Sequence, residues 1–434
     1  MTWETEHHAA EWMVSVTRRL LAIGTIGLMS VSSPLWLGGD DGLQIPIFAS
    51  LCGVLESVDT GLLIFLVGCL LVMILGPRSS RATRWSTLGM VVSLGSLTLL
   101  DQLRLQPWVY HFLWIGILLG FAPNRVGLQG VRWLGASLYL WSAWSKCDPL
   151  FVESHGQMLL DGVLKSLDIS AVFWPKVVRN VLVWGMPVGE FLVGFWLLCR
   201  RWQLSGLAAS VVMHSLLIAA LSSRGLNHGW TVIGWNLFLI CQNLWLFRGD
   251  AGPSRLGAVS PRLVDDESLG WMQFGELDGV ARCLLMIPLL CPALNYWGLW
   301  DHWPSWSLYS SRPGLVELSV RGDAVNKLPG EVREFVLPAE PLSEWRRVRL
   351  EEWCFQVRGV PPVPQVRWKL ALAAAMTAQP SVSPEGKSDE NVRVIVRERA
   401  GLWRRDYVTT ENIGITKLKE TLTQFWLNTS VRRS

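Results

Sequence analysis

Hydrophobic residues are gathered into long runs separated by short polar connections. The runs are Leu20–Leu37, Gly61–Gly76, Trp85–Leu100, Trp108–Ala122, Val131–Ser145, Val181–Cys199, Leu204–Leu221, Trp230–Phe247 and Val280–Leu299. A helix that crosses a bilayer needs roughly 17–25 mostly apolar residues, so the pattern predicts an all-α polytopic transmembrane bundle of about nine helices over residues 1–300, several of them short for a span. The first run follows a long polar lead without a small-residue cleavage site, which predicts an uncleaved anchor. From Asp301 the period changes to two. Val316, Leu318 and Val320 alternate with Glu317, Ser319 and Arg321, and Val392, Val394 and Val396 alternate with Arg393, Ile395 and Arg397, the spacing of strands. Pro364–Ala378 and the Ile415, Leu418, Leu422, Phe425 series predict helices, with Gln379–Asn391 a polar loop. Residues 301–434 therefore read as a small α+β extramembrane domain.

Charge sets an orientation. Arg18 and Arg19, then Arg78, Arg81 and Arg84, then Arg125 and Arg132, then Arg200 and Arg201 occupy every second connection, while the loop with Asp40, Asp41, Glu56 and Asp59 is acidic. The protein is expected in the inner membrane of a cell; by the positive-inside rule its N-terminus is cytoplasmic, and nine crossings place the C-terminal domain outside. Of the two long loops, Arg248–Gly279 reads as a cytoplasmic linker and Lys146–Asn180, on the outer side, as an amphipathic surface loop, with a re-entrant or lid segment as the alternative.

Composition narrows the class further. Half of the 434 residues are hydrophobic and only 17% are charged, which excludes a disordered chain and speaks against an ordinary soluble enzyme. The net charge of +4 is small and spread over loops, so no nucleic-acid partner is expected. Many tryptophans, among them Trp36, Trp85, Trp108, Trp230, Trp297 and Trp300, fall at run ends, where interfacial belts form against membrane lipids. The eight cysteines include no CxxC pair, and neither a metal site nor a nucleotide-binding or hydrolase motif is present.

The chemistry lies in a few polar residues inside apolar runs. Glu190 and His214 occupy the middles of consecutive runs, and antiparallel helices rising ~1.5 Å per residue put both ~15 Å deep. Ionisable groups at that depth are costly and usually functional, so the two are expected as a pair. The bland alternatives are a protonated carboxyl on a packing face and a satisfied core histidine. Pro187 breaks the backbone ladder just before Glu190, and Gly185 and Gly189 are expected to admit a neighbouring helix. Trp235 and Asn236 lie toward the outer end of the next helix, and Lys146 ends the fifth run. Asp101, Arg104 and Gln106 reach the same outer face. Together they predict an outward-facing polar pocket, with Glu190, His214 and Lys146 catalytic and Asn236, Trp235, Asp101 and Arg104 binding ligand.

The aromatic stretch Tyr139–Phe151, with Lys146 followed by Asp148-Pro149-Leu150-Phe151, resembles a segment of the DoxX/MauE-like membrane proteins. It is also similar to the horizontally transferred transmembrane (HTTM) domain shared with vitamin K-dependent γ-carboxylases. A helix with Glu190, one with His214 and one with Trp235-Asn236 fit the same pattern, so the resemblance covers about Val131–Phe247. Ala143-Trp144 departs from the usual glycine-containing turn, and the C-terminal domain is small beside the carboxylase peptide-binding portion. The resemblance implies a lipophilic redox cofactor such as a quinone, and a quinone-linked oxidoreductase or carboxylase-like enzyme. His214 would exchange protons, Glu190 would orient it and Lys146 would stabilise an oxyanion. The alternatives are a proton-coupled transporter, or a non-catalytic membrane anchor for a C-terminal domain with its own protein partner.

Overall fold

A computed structural model describes residues 3–37, 43–78, 80–248, 279–378, 388–399 and 407–432. The chain is mostly helical, with one small antiparallel sheet. The helices of eight or more residues before the sheet are α1 (Trp3–Val31), α2 (Glu56–Leu75), α3 (Arg81–Leu100), α4 (Pro107–Phe121) and α5 (Asn124–Lys146), then α6 (His155–Ser166), α7 (Lys176–Leu198), α8 (Gln203–Leu221), α9 (Trp230–Phe247) and α10 (Gly279–Leu290). All nine apolar runs are helical, the last closing in a 3₁₀ segment, Cys291–Trp297, that stops at Gly298 in the left-handed region. Helix is the expected outcome, because a lipid-facing backbone must satisfy its own N–H and C=O groups. Among the described residues five segments are long and apolar enough to cross a membrane: Ala10–Val31 within α1, Glu56–Leu75, Lys176–Leu198, Arg200–Leu221 and Trp230–Phe247. α4 is apolar but shorter.

The segment Lys146–Asn180, expected as a surface loop, is largely helical. Pro149–Glu153 forms one short helix and α6 follows it. α6 buries Leu159, Leu160 and Leu164 in a core shared with Phe151, Val152, Val183 of α7 and Leu221 of α8. The apolar spacing of α6 thus meets two neighbouring helices, which the sequence pattern did not show. Asp40, Asp41, nearly all of the linker read at Arg248–Gly279 and residues 379–387 lie outside the described residues, while Ser388–Asn391 is a single helical turn.

The chain divides into two compact units. The first comprises Met1–Ser30, Ile64–Leu94 and Pro107–Ser311. Within it α5 packs on α7, α7 on α8, and α8 on both α6 and α9. Gly194 makes the α5–α7 contact close, since a Cβ there would lie 2.9 Å from Leu140 Cγ and 3.0 Å from the Ala136 carbonyl. Gly185 and Gly189, expected to serve this purpose, have no atom within 4 Å of the same ideal position.

The second unit comprises Val31–Leu63, Gly95–Gln106 and Arg312–Ser434. Its sheet is ordered β2-β1-β3-β4, from β1 (Leu315–Arg321), β2 (Trp345–Val348), β3 (Val392–Arg399) and β4 (Tyr407–Ile413). Leu318 opposes both Val348 and Val394, and Val320 opposes Val392. The period-two pattern therefore buries one face, and α12 (Val366–Thr377) covers β1 and β3 after α11 (Leu350–Val357). The last helix, α13 (Ile415–Leu422), packs on α12.

One carboxylate organises the rest of this unit. Asp59, in the first turn of α2, accepts from Arg104 Nη1 at 2.6 Å on one oxygen and from Arg432 Nη1 at 2.7 Å on the other. Arg432 also donates to Gln44 Oε1 at 3.0 Å, to the Val54 carbonyl at 2.6 Å and to the Leu55 carbonyl. Segments far apart in sequence are thus held by one buried acid. Asp59→Asn leaves two buried guanidinium groups facing a neutral amide, and stranding a buried charge costs about 3–5 kcal/mol. The expected outcome is a lower unfolding midpoint for the second unit and faster proteolysis of its C-terminal tail. Unchanged proteolysis would show that the triad is not structural.

Candidate functional site

Four helices of the first unit bring their polar residues together, and each does so through helical spacing. On α5, Tyr139, Ser142 and Lys146 stand three and four residues apart, on one face. On α8, Ser210 and His214 are one turn apart, and on α9, Asn236 and Asn243 are two turns apart. α7 contributes Glu190, one turn before Gly194 and three residues after Pro187, which lies inside the helix without ending it. All of these side chains are buried.

The first cluster is an ion pair. Lys146 Nζ lies 2.9 Å from Glu190 Oε1, 2.8 Å from Oε2 and 2.6 Å from Ser142 Oγ. An ammonium has three N–H donors and no acceptor, so each donor here meets one oxygen. Lys146 is 2% exposed and Glu190 9%. In such surroundings neither charge is affordable alone, and the complete match of donors to acceptors is what makes the pair tolerable.

The second cluster is a hydrogen-bonded chain built on His214. Asn236 Nδ2 donates to the Val232 carbonyl at 2.8 Å, which turns its Oδ1 toward His214 Nδ1, also at 2.8 Å. His214 therefore donates from Nδ1, and its Nε2 accepts from the Tyr139 hydroxyl at 2.7 Å. The Tyr139 oxygen in turn accepts from Asn243 Nδ2, which also donates to Ser210 Oγ at 2.7 Å. This is a phenol with a base on its proton and a donor on its oxygen. Both features lower the barrier to moving that proton.

The expected partners are thus exchanged. Glu190 does not bond His214; it is held by Lys146, and the group that orients His214 is Asn236. Two long side chains account for the change, since Lys146 reaches inward from the end of α5 while Tyr139, two turns earlier, takes the histidine. Tyr139, Ser142, Ser210 and Asn243 were missed as site residues. Their signal was present as polar positions at helical spacing, but hydroxyls and amides on apolar helices are common as interhelical contacts.

Trp235 is buried beside Asn236, with its indole 6.4 Å from the His111 ring. Asp101 and Arg104 belong to the second unit instead. Asp101 caps a 3₁₀ turn by accepting from Leu103 N and holds Arg358 Nη2 at 3.3 Å. Arg104 is fully buried on Asp59 and lies over the Trp36 ring at 5.9 Å. Their charges are neutralised inside that unit, and Gln106 likewise donates to the Leu103 and Pro361 carbonyls. Among the described residues no group of His, Cys, Asp and Glu is placed to hold a metal ion.

Three buried side chains of α9 retain unused hydrogen-bonding atoms among the described residues. They are Asn243 Oδ1, both amide atoms of Gln242, and Trp235 Nε1. Buried polar atoms of this kind ordinarily find a hydrogen-bond partner.

The ion pair makes a sharp stability prediction. Glu190→Gln and Lys146→Met each strand one buried charge and are expected to cost about 3–5 kcal/mol. The double variant Lys146→Met/Glu190→Leu removes both charges and is expected to lose much less than the sum of the single changes. Unfolding of detergent-solubilised protein measures this directly, and strict additivity would rule out the coupling.

Comparison of the chain with protein-family models, curated proteins and solved structures finds no match.

Proposed function

We propose that this chain is an integral membrane protein whose helix bundle binds a small lipophilic ligand, such as a quinone, and exchanges a proton with its polar head. The observation that carries the reading is the Tyr139 hydroxyl, 2.7 Å from His214 Nε2, with Asn236 fixing the other ring nitrogen and Asn243 donating to the phenol oxygen. In this scheme Tyr139 passes its proton to His214 Nε2 while its oxygen takes up the proton released by the ligand's head group; the imidazolium keeps its Nδ1–H on Asn236, and Asn243 stabilises the partial charge on the phenol oxygen as the protons move. Gln242, Asn243 and Trp235 supply the free hydrogen-bonding atoms that would hold the head group. A quinone-type ligand, when bound, supplies ring oxygens that take up and release protons.

The roles differ from those read on the sequence. His214 remains the proton-exchanging group, Asn236 takes the orienting role first given to Glu190, and Tyr139 stands between His214 and the ligand. Lys146 and Glu190 form a neutral pair that sets the local field and secures α5 against α7. In the same reading the nine helical runs all cross the inner membrane, with the N-terminus cytoplasmic and the C-terminal region outside.

Mass spectrometry of small molecules that co-purify with the protein tests the reading. A quinone-type lipid is expected with the wild type. Retention about fivefold lower or more is expected for Tyr139→Phe and His214→Ala, because loss of either breaks the hydrogen-bonded chain that fixes Asn243 toward the head group, at about the worth of one hydrogen bond. Equal retention by the variants would sink the proton-exchange site. No small molecule in any preparation would favour a non-catalytic membrane anchor.

A further inference from the structure

The second unit contains a cavity of about 390 Å³ that the proton-exchange reading does not use. Its walls come from three places: Phe48 just before α2, Lys419 and Leu422 on α13, and Trp426 and Ser430 in the C-terminal tail. The tail is tied to the segment before α2 by backbone and side-chain hydrogen bonds. Asn428 N donates to the Ile47 carbonyl at 3.0 Å, Asn428 Nδ2 to the Pro46 carbonyl at 3.0 Å, and Arg432 Nε to the Val54 carbonyl at 2.6 Å. The walls of the cavity are therefore held together by hydrogen bonds, one of them buried.

Its level is set by α2, which has the highest hydropathy of the membrane-crossing candidates and is little buried by protein. Leu55, immediately before its first residue, is exposed, as is Phe48. Where such a helix begins, the bilayer surface begins. Trp426 is 85% exposed at the mouth of the same cavity, an unfavourable position in water and a preferred one at a membrane interface. Lys419 is exposed, and it has no ion-pair or hydrogen-bond partner among the described residues.

We propose that this cavity binds an anionic phospholipid. The Lys419 ammonium and the Ser430 hydroxyl meet the phosphate, while Phe48, Leu422 and Trp426 cover the glycerol and the first methylenes of an acyl chain. A free cation beside exposed aromatic surface matches that combination of charge and apolar chain, and a soluble anion would leave the aromatic walls uncovered. The site rests on α2 crossing the membrane and is independent of the chemistry at Tyr139 and His214.

Native mass spectrometry of the full chain in detergent, titrated with phosphatidylglycerol and with phosphatidylcholine, tests the proposal. The wild type is expected to retain phosphatidylglycerol in preference to phosphatidylcholine. Lys419→Glu is expected to weaken phosphatidylglycerol about fivefold or more while sparing phosphatidylcholine, the effect of one basic residue near a membrane surface. Trp426→Ser is expected to weaken both lipids. The two side chains are exposed, so an unchanged unfolding midpoint serves as the check on folding. Equal phosphatidylglycerol retention by wild type and Lys419→Glu would overturn the site, as would full displacement by inorganic phosphate alone. Release of the chain from membranes by alkaline carbonate is a separate result, and it would remove the membrane reading of α2 itself.

Discussion

The buried contact between Lys146 and Glu190 is the constraint on which the arrangement of the candidate site depends. An isolated charge in an apolar helix bundle costs several kcal/mol, and the cost is met here only because three ammonium donors find three oxygens. Meeting it requires α5 and α7 to approach closely, which Gly194 permits, and it fixes how α5 is turned about its own axis. With Lys146 and Ser142 directed at Glu190, Tyr139 on the same face is carried to His214. The position of the phenol thus follows from the need to pair a lysine two turns away.

The same rule operates in the second unit with different partners. Asp59 holds two arginines, and Asp101 holds a third. Each carboxylate joins parts of the chain that are distant in sequence, so electrostatic pairing closes loops there while strand alternation builds the sheet. Near α2 the pair between Asp59 and Arg432 secures the tail that walls the cavity. Polar groups inside this protein therefore do two kinds of work: some hold segments together, and others are left with spare donors and acceptors. Gln242, Asn243 and Trp235 are of the second kind, and Asn243 also bonds Tyr139 in the His214 chain.

Much of the fold was legible from hydrophobic period. The nine apolar runs are helices, the alternations at Val316–Arg321 and Val392–Arg397 are strands, and the helices at Pro364–Ala378 and from Ile415 are in place. These features depend on local periodicity, which a single sequence displays. The helix His155–Ser166 was read as a loop because its apolar residues have meaning only against Val183 and Leu221. The number of membrane crossings was less legible, since among the described residues five segments have the length and apolarity to cross by themselves.

Of the candidate site, the sequence by itself determined which ionisable groups are forced into apolar surroundings: Lys146, Glu190 and His214 are buried, as their positions within hydrophobic runs require. Only the tertiary structure decided who partners whom. Depth along a helix follows from counting residues, but the rotation of one helix against another does not. A rotation of one residue position, about 100°, exchanges one set of neighbours for another. For that reason Glu190 meets Lys146, His214 meets Tyr139 and Asn236, and Asp101 and Arg104 are spent on Arg358 and Asp59 in the other unit.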